Sequence, residues 1–344
     1  MKKPVAIISS DWHLKDDNAE QIIDLAKQKA ELADKLDVKN LIILGDVFHS
    51  RKAQSQYVLN TFRTILKNIL LYHGRTVYAI RGNHDSIEHE GEMSFLTPFS
   101  DIENFKLIEV PETIWINGID FSFIPYFKED ILARYIKETL DFEKRISCAP
   151  KVLLTHTAFK GSRNNDGTEM DSKINYDLVK DFDLVISGHY HNMQQVYKNC
   201  WHLPSIQQNN HGEDYNKGFC VLFDDLSFEI ERSKFKMYHT QILSANDTEL
   251  HKKMQYAIKQ KEETGDYYRT RIEGSKAQLE SIDTSELKNA GIKVEKIAND
   301  EAYEAPGQIT TIDHKSMVQM FKDFCEKEGI SYEEGIEYFK CIEQ

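Results

Sequence analysis

Five short clusters of metal-binding residue types recur along the sequence: Asp11-Trp12-His13, Gly45-Asp46, Gly82-Asn83-His84-Asp85, His156, and Gly188-His189-Tyr190-His191. Carboxylates, imidazoles and one amide oxygen, with no thiolate among them, suit hard-to-borderline divalent cations. In a turn that continues a strand, residues i and i+2 point the same way, so Asp11 with His13, and His189 with His191, can each offer two groups to one centre. Two cations held about 3.5–4 Å apart need a carboxylate between them, and Asp46, alone after its glycine, is the natural bridge. Any one of these signals is common by chance. Five in succession are not.

What positions them is a series of apolar runs. VAIIS, NLIIL at 40–44, TVYAI at 76–80, KVLLT at 151–155 and DLVIS at 183–187 each end at one of the clusters. Helical segments near 18–36 and 53–71 separate the first three, and such alternation indicates βαβ units and a mainly parallel sheet. In an α/β sheet the crevice outside the carboxyl ends of the strands is where ligands bind, so the five clusters converge on one rim. FKLIEV at 105–110 and the runs TIWI and IDFSFI, joined by Asn117-Gly118, add further strands, the last two as a type I′ hairpin. Parallel units beside a hairpin imply two sheets packed face to face. An amphipathic stretch follows near 128–141, and GFCVLF at 218–223 with SFEIER at 227–232 form an edge hairpin that closes the domain near residue 240.

Beyond that point a polar helix near 246–263, YYRTRIEG, a helical segment near 276–290 and IKVEKI make a small βαβ module over 241–304. Pro306 and Gly307 mark a linker, and two short amphipathic helices are expected within 305–344.

The 344 residues suffice for one large domain and a smaller appendage. No apolar run approaches the roughly 18 residues of a membrane span, and MKKPVAIISSD enters a strand without a cleavage pattern, so a cytoplasmic location is expected, with no membrane role. Five scattered cysteines without CxxC pairing favour neither disulfides nor a cysteine zinc site and read as core thiols. The net charge of −13 opposes nucleic-acid binding, but its distribution weakens that objection. Residues 241–344 carry 14 Lys/Arg against 21 Asp/Glu, which leaves only −6 on the first 240.

The ordered set of clusters resembles the calcineurin-like metallophosphoesterase superfamily over roughly residues 5–235. The resemblance implies an α/β/β/α sandwich with two divalent ions, manganese first and magnesium or iron as alternatives. It places Asp11, His13, Asp46 and His191 on one ion and Asp46, Asn83, His156 and His189 on the other. His84 would serve as general acid or stabiliser of developing charge during in-line attack of an activated water on phosphorus.

Within the superfamily, GDVFHS at 45–50 followed by Arg51 and Lys52, and WHLPSIQQNNHGEDYNKGFCVLF at 201–223, resemble the SbcD and Mre-eleven branch. That likeness implies that His49 contacts the scissile-phosphate region and that the chain is a DNA nuclease, exonucleolytic on duplexes and endonucleolytic on single strands. Such enzymes act in double-strand-break processing and recombination. The compact length is similar to that of phage recombination-nuclease subunits. The likeness further implies that 241–304 steers DNA and that the last helices dock on an SbcC or Rad-fifty-type ATPase. A homodimer is expected through Tyr57, Leu59, Phe62 and Leu66. Arg51, Lys52, Arg81, Lys160 and Arg163 lie near the rim as candidate phosphate contacts. The competing readings are a phosphomonoesterase with the same metals and a non-catalytic scaffold of the ATPase complex.

Overall fold

The computed structural model describes residues 2–87, 93–165 and 167–299. Strands β1 (Pro4–Ser9), β2 (Asn40–Leu44), β3 (Thr76–Ile80) and β4 (Phe105–Ile108) run parallel in that spatial order. A second sheet is built on β5 (Glu112–Ile116), β6 (Ile119–Ile124), β7 (Lys151–His156) and β8 (Leu184–Gly188), with β9 (Gln194–Tyr197) and β10 (Cys200–His202) at its far edge in the order β10-β9. The hairpin β11 (Gly218–Phe223) and β12 (Phe228–Arg232) returns antiparallel to β1 and completes the first six strands. Asn117 and Gly118 both take positive φ, 50° and 89°, as the turn between β5 and β6 requires.

The two sheets face each other across an apolar layer that includes Ile8, Ile42, Leu44, Phe121, Phe123, Leu154 and Ile186. Each fully buried side chain of this size contributes about 1.5–3 kcal/mol. Helices α1 (Ala19–Leu36) and α2 (Gln56–Ile65) cover the outer face of the first sheet, while α3 (Glu129–Ile146) and the short α4 (Tyr176–Val179) cover that of the second. The result is the expected α/β/β/α sandwich. Strands sealed on both faces are stiff, and their carboxyl ends are correspondingly fixed.

Two expectations about this part need correction. Phe62 and Leu66 are fully buried in the core between α2 and the first sheet, so the stripe read as a dimer face leaves only Tyr57 exposed and Leu59 partly so. Cys200 and Cys220 are buried, but Cys148 is exposed.

The third sheet is wholly parallel, in the order β13 (Tyr238–Ser244), β14 (Tyr267–Gly274) and β15 (Lys293–Ala298). Its first strand was not expected from the sequence, and residue 240 falls inside it. Helices α5 (Leu250–Thr264), α6 (Lys276–Ser281) and α7 (Ser285–Asn289) pack on one face around Leu243, Ile272 and Leu287. The stretch read as one helix over 276–290 is therefore two. The expected linker at Glu304 to Gly307 and the two C-terminal helices lie outside the described residues. No helix among the described residues is long and apolar enough to cross a membrane.

Candidate metal centre

The loops after β1 and β2 are fastened to one another by backbone hydrogen bonds. Asp11 N–H donates to Gly45 O (3.1 Å), His13 N–H to Asp46 O (3.0 Å), and Leu14 N–H to Val47 O (2.8 Å). Asp11, His13, Asp46 and His189 all sit at positive φ (54°, 48°, 51° and 86°), a conformation that costs non-glycine residues of order 1 kcal/mol or more and clusters at functional sites. Close approach is equally demanding at Gly82, where a Cβ would fall onto the Asp46 carboxylate, and at Gly188, where it would meet the Ser10 hydroxyl. The glycines there are a packing requirement.

All seven candidate ligands converge. His13 Nε2 and His191 Nε2 face each other at 3.0 Å, and Asp11 Oδ1 is 3.8 Å from His191 Nε2. On the other side His156 Nε2 and His189 Nδ1 both lie 3.0 Å from Asn83 Oδ1. Asp46 stands between the two groups, its Oδ2 3.4 Å from His156 Nε2 and 3.8 Å from His13 Nε2. Asp11 Oδ1 and Oδ2 both accept the His189 N–H at 3.2 Å.

Asp11 and Asp46 are buried to within 2% of complete, and two carboxylates so placed demand nearby positive charge. Burial opposes ionisation of Asp46, yet the imidazoles of His156, His13 and His84 hold it well below the usual carboxylate range. Burial would likewise depress His156, but Asp46 and Asp11 carry it up to about 9. His189 goes the other way, to about 3, through burial and the charge of His156. Oxygen and imidazole donors around buried carboxylates fit a pair of divalent cations.

The surrounding contacts orient these donors. His156 Nδ1 donates to Leu44 O (2.7 Å), which turns Nε2 toward Asn83 and Asp46 as the atom that would ligate. Asp85 accepts from Gly82 N (2.9 Å) and Phe48 N (3.0 Å), tying the turns after β2 and β3 together, and burial followed by the Asp46 charge raises it to about 7. His202, buried between Ser162 Oγ (2.8 Å) and Gly188 O (3.0 Å), braces the last histidine turn. Behind His191 lies a buried carboxylate, Glu213, at 2.7 Å. Glu213 and Lys217 carry no sequence periodicity; the only hint was their place in the segment 201–223, as the acid after Gly212 and the lysine before Gly218-Phe219.

At the mouth of the site stand the exposed His49 and the half-buried His84, their ring centroids 5.9 Å apart. Arg51 Nη2 lies 3.0 Å from His84 Nε2. Lys52 is exposed beside it. Lys160 and Arg163, on the loop after β7, are exposed and form surface pairs with Asp171 (3.4 Å) and Glu169 (3.0 Å). Arg81 does not belong with them. It is 1% exposed, its guanidinium donates to Tyr126 O and lies 4.5 Å from the Phe127 ring, and it pins the end of β6 instead of facing a ligand.

The sequence matches the Calcineurin-like phosphoesterase family over residues 4–193, more than half of the chain, and the protein belongs to that family. Among curated proteins it is similar to exonuclease subunit 1 of Enterobacteria phage T4, 26% identical over 271 residues that span 75% of this chain and 72% of that protein. Protein 244L of Invertebrate iridescent virus 6, a phosphoesterase by its name, is 26% identical over 62% of this chain and 74% of its own length. Among solved structures, calcineurin-like phosphoesterase YfkN from Bacillus subtilis aligns over 68% of this chain and 90% of that one, at 13% identity and a TM-score of 0.39.

Proposed function

We propose that the chain is a two-metal-dependent DNA nuclease in which Asp11, His13, Asp46 and His191 hold one ion and Asp46, Asn83, His156 and His189 the other. The observation that carries the nuclease reading is the trio at the mouth: Arg51, His84 and His49 stand together beside Asp46, with Arg51 3.0 Å and Asp46 Oδ2 4.0 Å from His84 Nε2. A guanidinium and two imidazoles at an open rim suit a diester whose strand continues past the site. The likeness to a phage exonuclease subunit supports the same reading.

When bound, the divalent ions, manganese by preference with magnesium or iron as alternatives, would supply positive charge to the phosphoryl oxygens and acidify a water. Asp46 spans the two donor groups and, through Oδ1, accepts the His84 N–H (2.8 Å), so the bridge and the mouth keep one geometry. Arg51 engages a non-bridging oxygen, His49 the scissile-phosphate region, and His84 the leaving oxygen. Lys52, Lys160 and Arg163 extend the contact along the backbone. Residues 1–237 act as the nuclease domain, and the module that begins with β13 at Tyr238 and runs to residue 304 steers DNA. Residues 305–344 supply the docking segment for an SbcC or Rad-fifty-like ATPase in break processing and recombination, and any dimer contact on α2 centres on Tyr57.

Incubation with manganese and linear duplex DNA tests the reading, with His84→Ala and Asp46→Ala for comparison. Hydrolysis by the wild type, reduced at least 100-fold in both variants, is expected. Absence of metal-dependent DNA hydrolysis, with rapid release of phosphate from an aryl phosphate, would replace the nuclease by a monoesterase. Deletion of 306–344 should abolish ATPase association and leave metal binding intact.

A further inference from the structure

Glu213 and Lys217 are both completely buried, 3.2 Å apart, immediately behind the ring of His191. Burying an ion pair is costly, and apolar residues of similar volume in such places are usually neutral or stabilising. The pair therefore calls for a reason other than stability. Its hydrogen bonds lead to His191 with its neighbour Asn192 and to the pair's own segment, Ser205 to Asn210. Glu213 Oε1 accepts from His191 Nδ1 (2.7 Å) and Asn210 Nδ2 (2.8 Å), and Oε2 accepts from Asn209 N (3.1 Å). Lys217 Nζ donates to the carbonyl of the same His191 (2.6 Å) and to Asn192 Oδ1 (2.9 Å). The ring and the backbone of His191 are thus gripped by two opposite charges that also hold each other.

We propose that Glu213 is a positioning residue for the metal centre: it fixes the His191 ring plane and keeps the proton on Nδ1, so that Nε2 alone faces the centre. The proposal rests on the reading of His191 as a ligand. A carboxylate only accepts, so the proton of that hydrogen bond belongs to Nδ1. Nε2 then points its lone pair at the space shared with His13 Nε2 (3.0 Å) and Asp11 (3.8 Å). Lys217 keeps Glu213 in place as the acceptor and locks the backbone that carries the ring. A carboxylate on the far nitrogen of a ligating histidine sets its orientation and raises its basicity. The effect should be largest at the ion that Asp11, His13, Asp46 and His191 would hold, since the Glu213 carboxylate bonds to His191 and to none of Asn83, His156 and His189.

The test is calorimetric titration of the full chain, stripped with a chelator, with manganese. The wild type should bind two ions. Glu213→Gln keeps the volume and removes the charge; one of the two affinities should fall about 10–100-fold while the other stays within about threefold. Two wild-type affinities, or an equal loss at both sites, would overturn the proposal. A wild type that binds no pair of ions would overturn the two-metal reading and this proposal together, whereas two ions in both proteins with unchanged affinities would overturn only the latter. Should Glu213→Gln fail to fold, the ¹⁵N-imidazole spectrum of zinc-loaded wild type decides. A proton on His191 Nδ1 and metal on Nε2 is expected, and metal on Nδ1 would overturn it.

Discussion

The guanidinium of Arg51 lies 3.0 Å from Nε2 of His84, while Nδ1 of the same ring is 2.6 Å from the carbonyl oxygen of His49. Arginine can only donate and a carbonyl can only accept, so His84 stands here as the neutral Nδ1–H tautomer with its Nε2 lone pair occupied by Arg51. To give a proton to a leaving oxygen the ring must first release that partner and take up a proton from water at Nε2, because its one proton sits on Nδ1. A phosphate that draws Arg51 away would free Nε2 at the moment of binding.

The two residues should therefore act as one unit. His84→Gln is expected to lower kcat by about 10²–10⁴-fold. Arg51→Gln alone should cost about 10–100-fold in kcat/KM, but far less when added to His84→Gln, since interacting residues are not additive. A double-mutant cycle on DNA hydrolysis reads this directly. Full additivity would show that Arg51 acts on the substrate without passing through His84.

A different device underlies the first ligand turn. Lys29 on α1 is completely buried and donates to Ser9 Oγ and Ile42 O, both at 2.8 Å; Ser9 Oγ in turn accepts from the Trp12 indole (3.0 Å). Burial holds this amine well below the ordinary lysine range. Its folded-state pKa is thus lower than its unfolded value of about 10.4, the unfolded chain binds more protons between the two, and stability from this group rises with pH across that window. Subtracting urea-melt stabilities of Lys29→Met from those of the wild type at pH 7, 8 and 9 isolates it from other titrating groups. The difference should climb by up to about 1.4 kcal/mol per pH unit. A flat or falling difference would show that Lys29 stays charged.

Where the sequence was readable, an apolar run met a cluster of ligands. Leu44 and Asp46, or Leu154 and His156, announce a buried strand and what its end presents, because burial on both faces allows nothing but apolar residues until the rim. Strand β13 lacked such a signal. Only Leu243 of its seven residues is buried, and on the side away from the helices Tyr238 and Thr240 are half-buried against His211 while Ile242 is exposed, so no alternation survives in YHTQILS. Arg81 failed for a related reason, since a rim position says nothing about which way a long side chain folds back. Glu213 meets His191 across 22 residues, a pairing that spacing does not encode.

Core and surface on α2 make opposite predictions. Phe62 packs edge-on against Phe48 (5.4 Å) and Phe99 (5.1 Å), and Phe48 N–H is held by Asp85 beneath the mouth of the site. Phe62→Ala should cost about 3–5 kcal/mol in urea melts and lower DNA hydrolysis as the turn loosens. Tyr57→Ser should stay within about 0.5 kcal/mol and affect only the association state measured by sedimentation. Comparable destabilisation by both would contradict the burial of Phe62 and the exposure of Tyr57.

The face of the third sheet opposite α5, α6 and α7 offers the last test. Arg269, Arg271 and Lys293 sit there on neighbouring strands and share one carboxylate, Glu295, at 3.5, 2.7 and 2.9 Å. Arg271 and Lys293 hold Glu295 down to about 2, so it stays ionised at any working pH, and with Glu273 on the same face three cations meet two anions and leave one positive charge in excess on an acidic chain. If this face steers DNA, removing each cation that neutralises a phosphate should reduce the slope of log K against log salt by a little under one. Replacing all three with Gln should therefore flatten the slope by about 2–3, while hydrolysis of a small aryl diester stays at the wild-type rate. An unchanged slope would remove this face from the DNA path, and a simultaneous fall in small-diester hydrolysis would mean that the module acts on the metal centre itself.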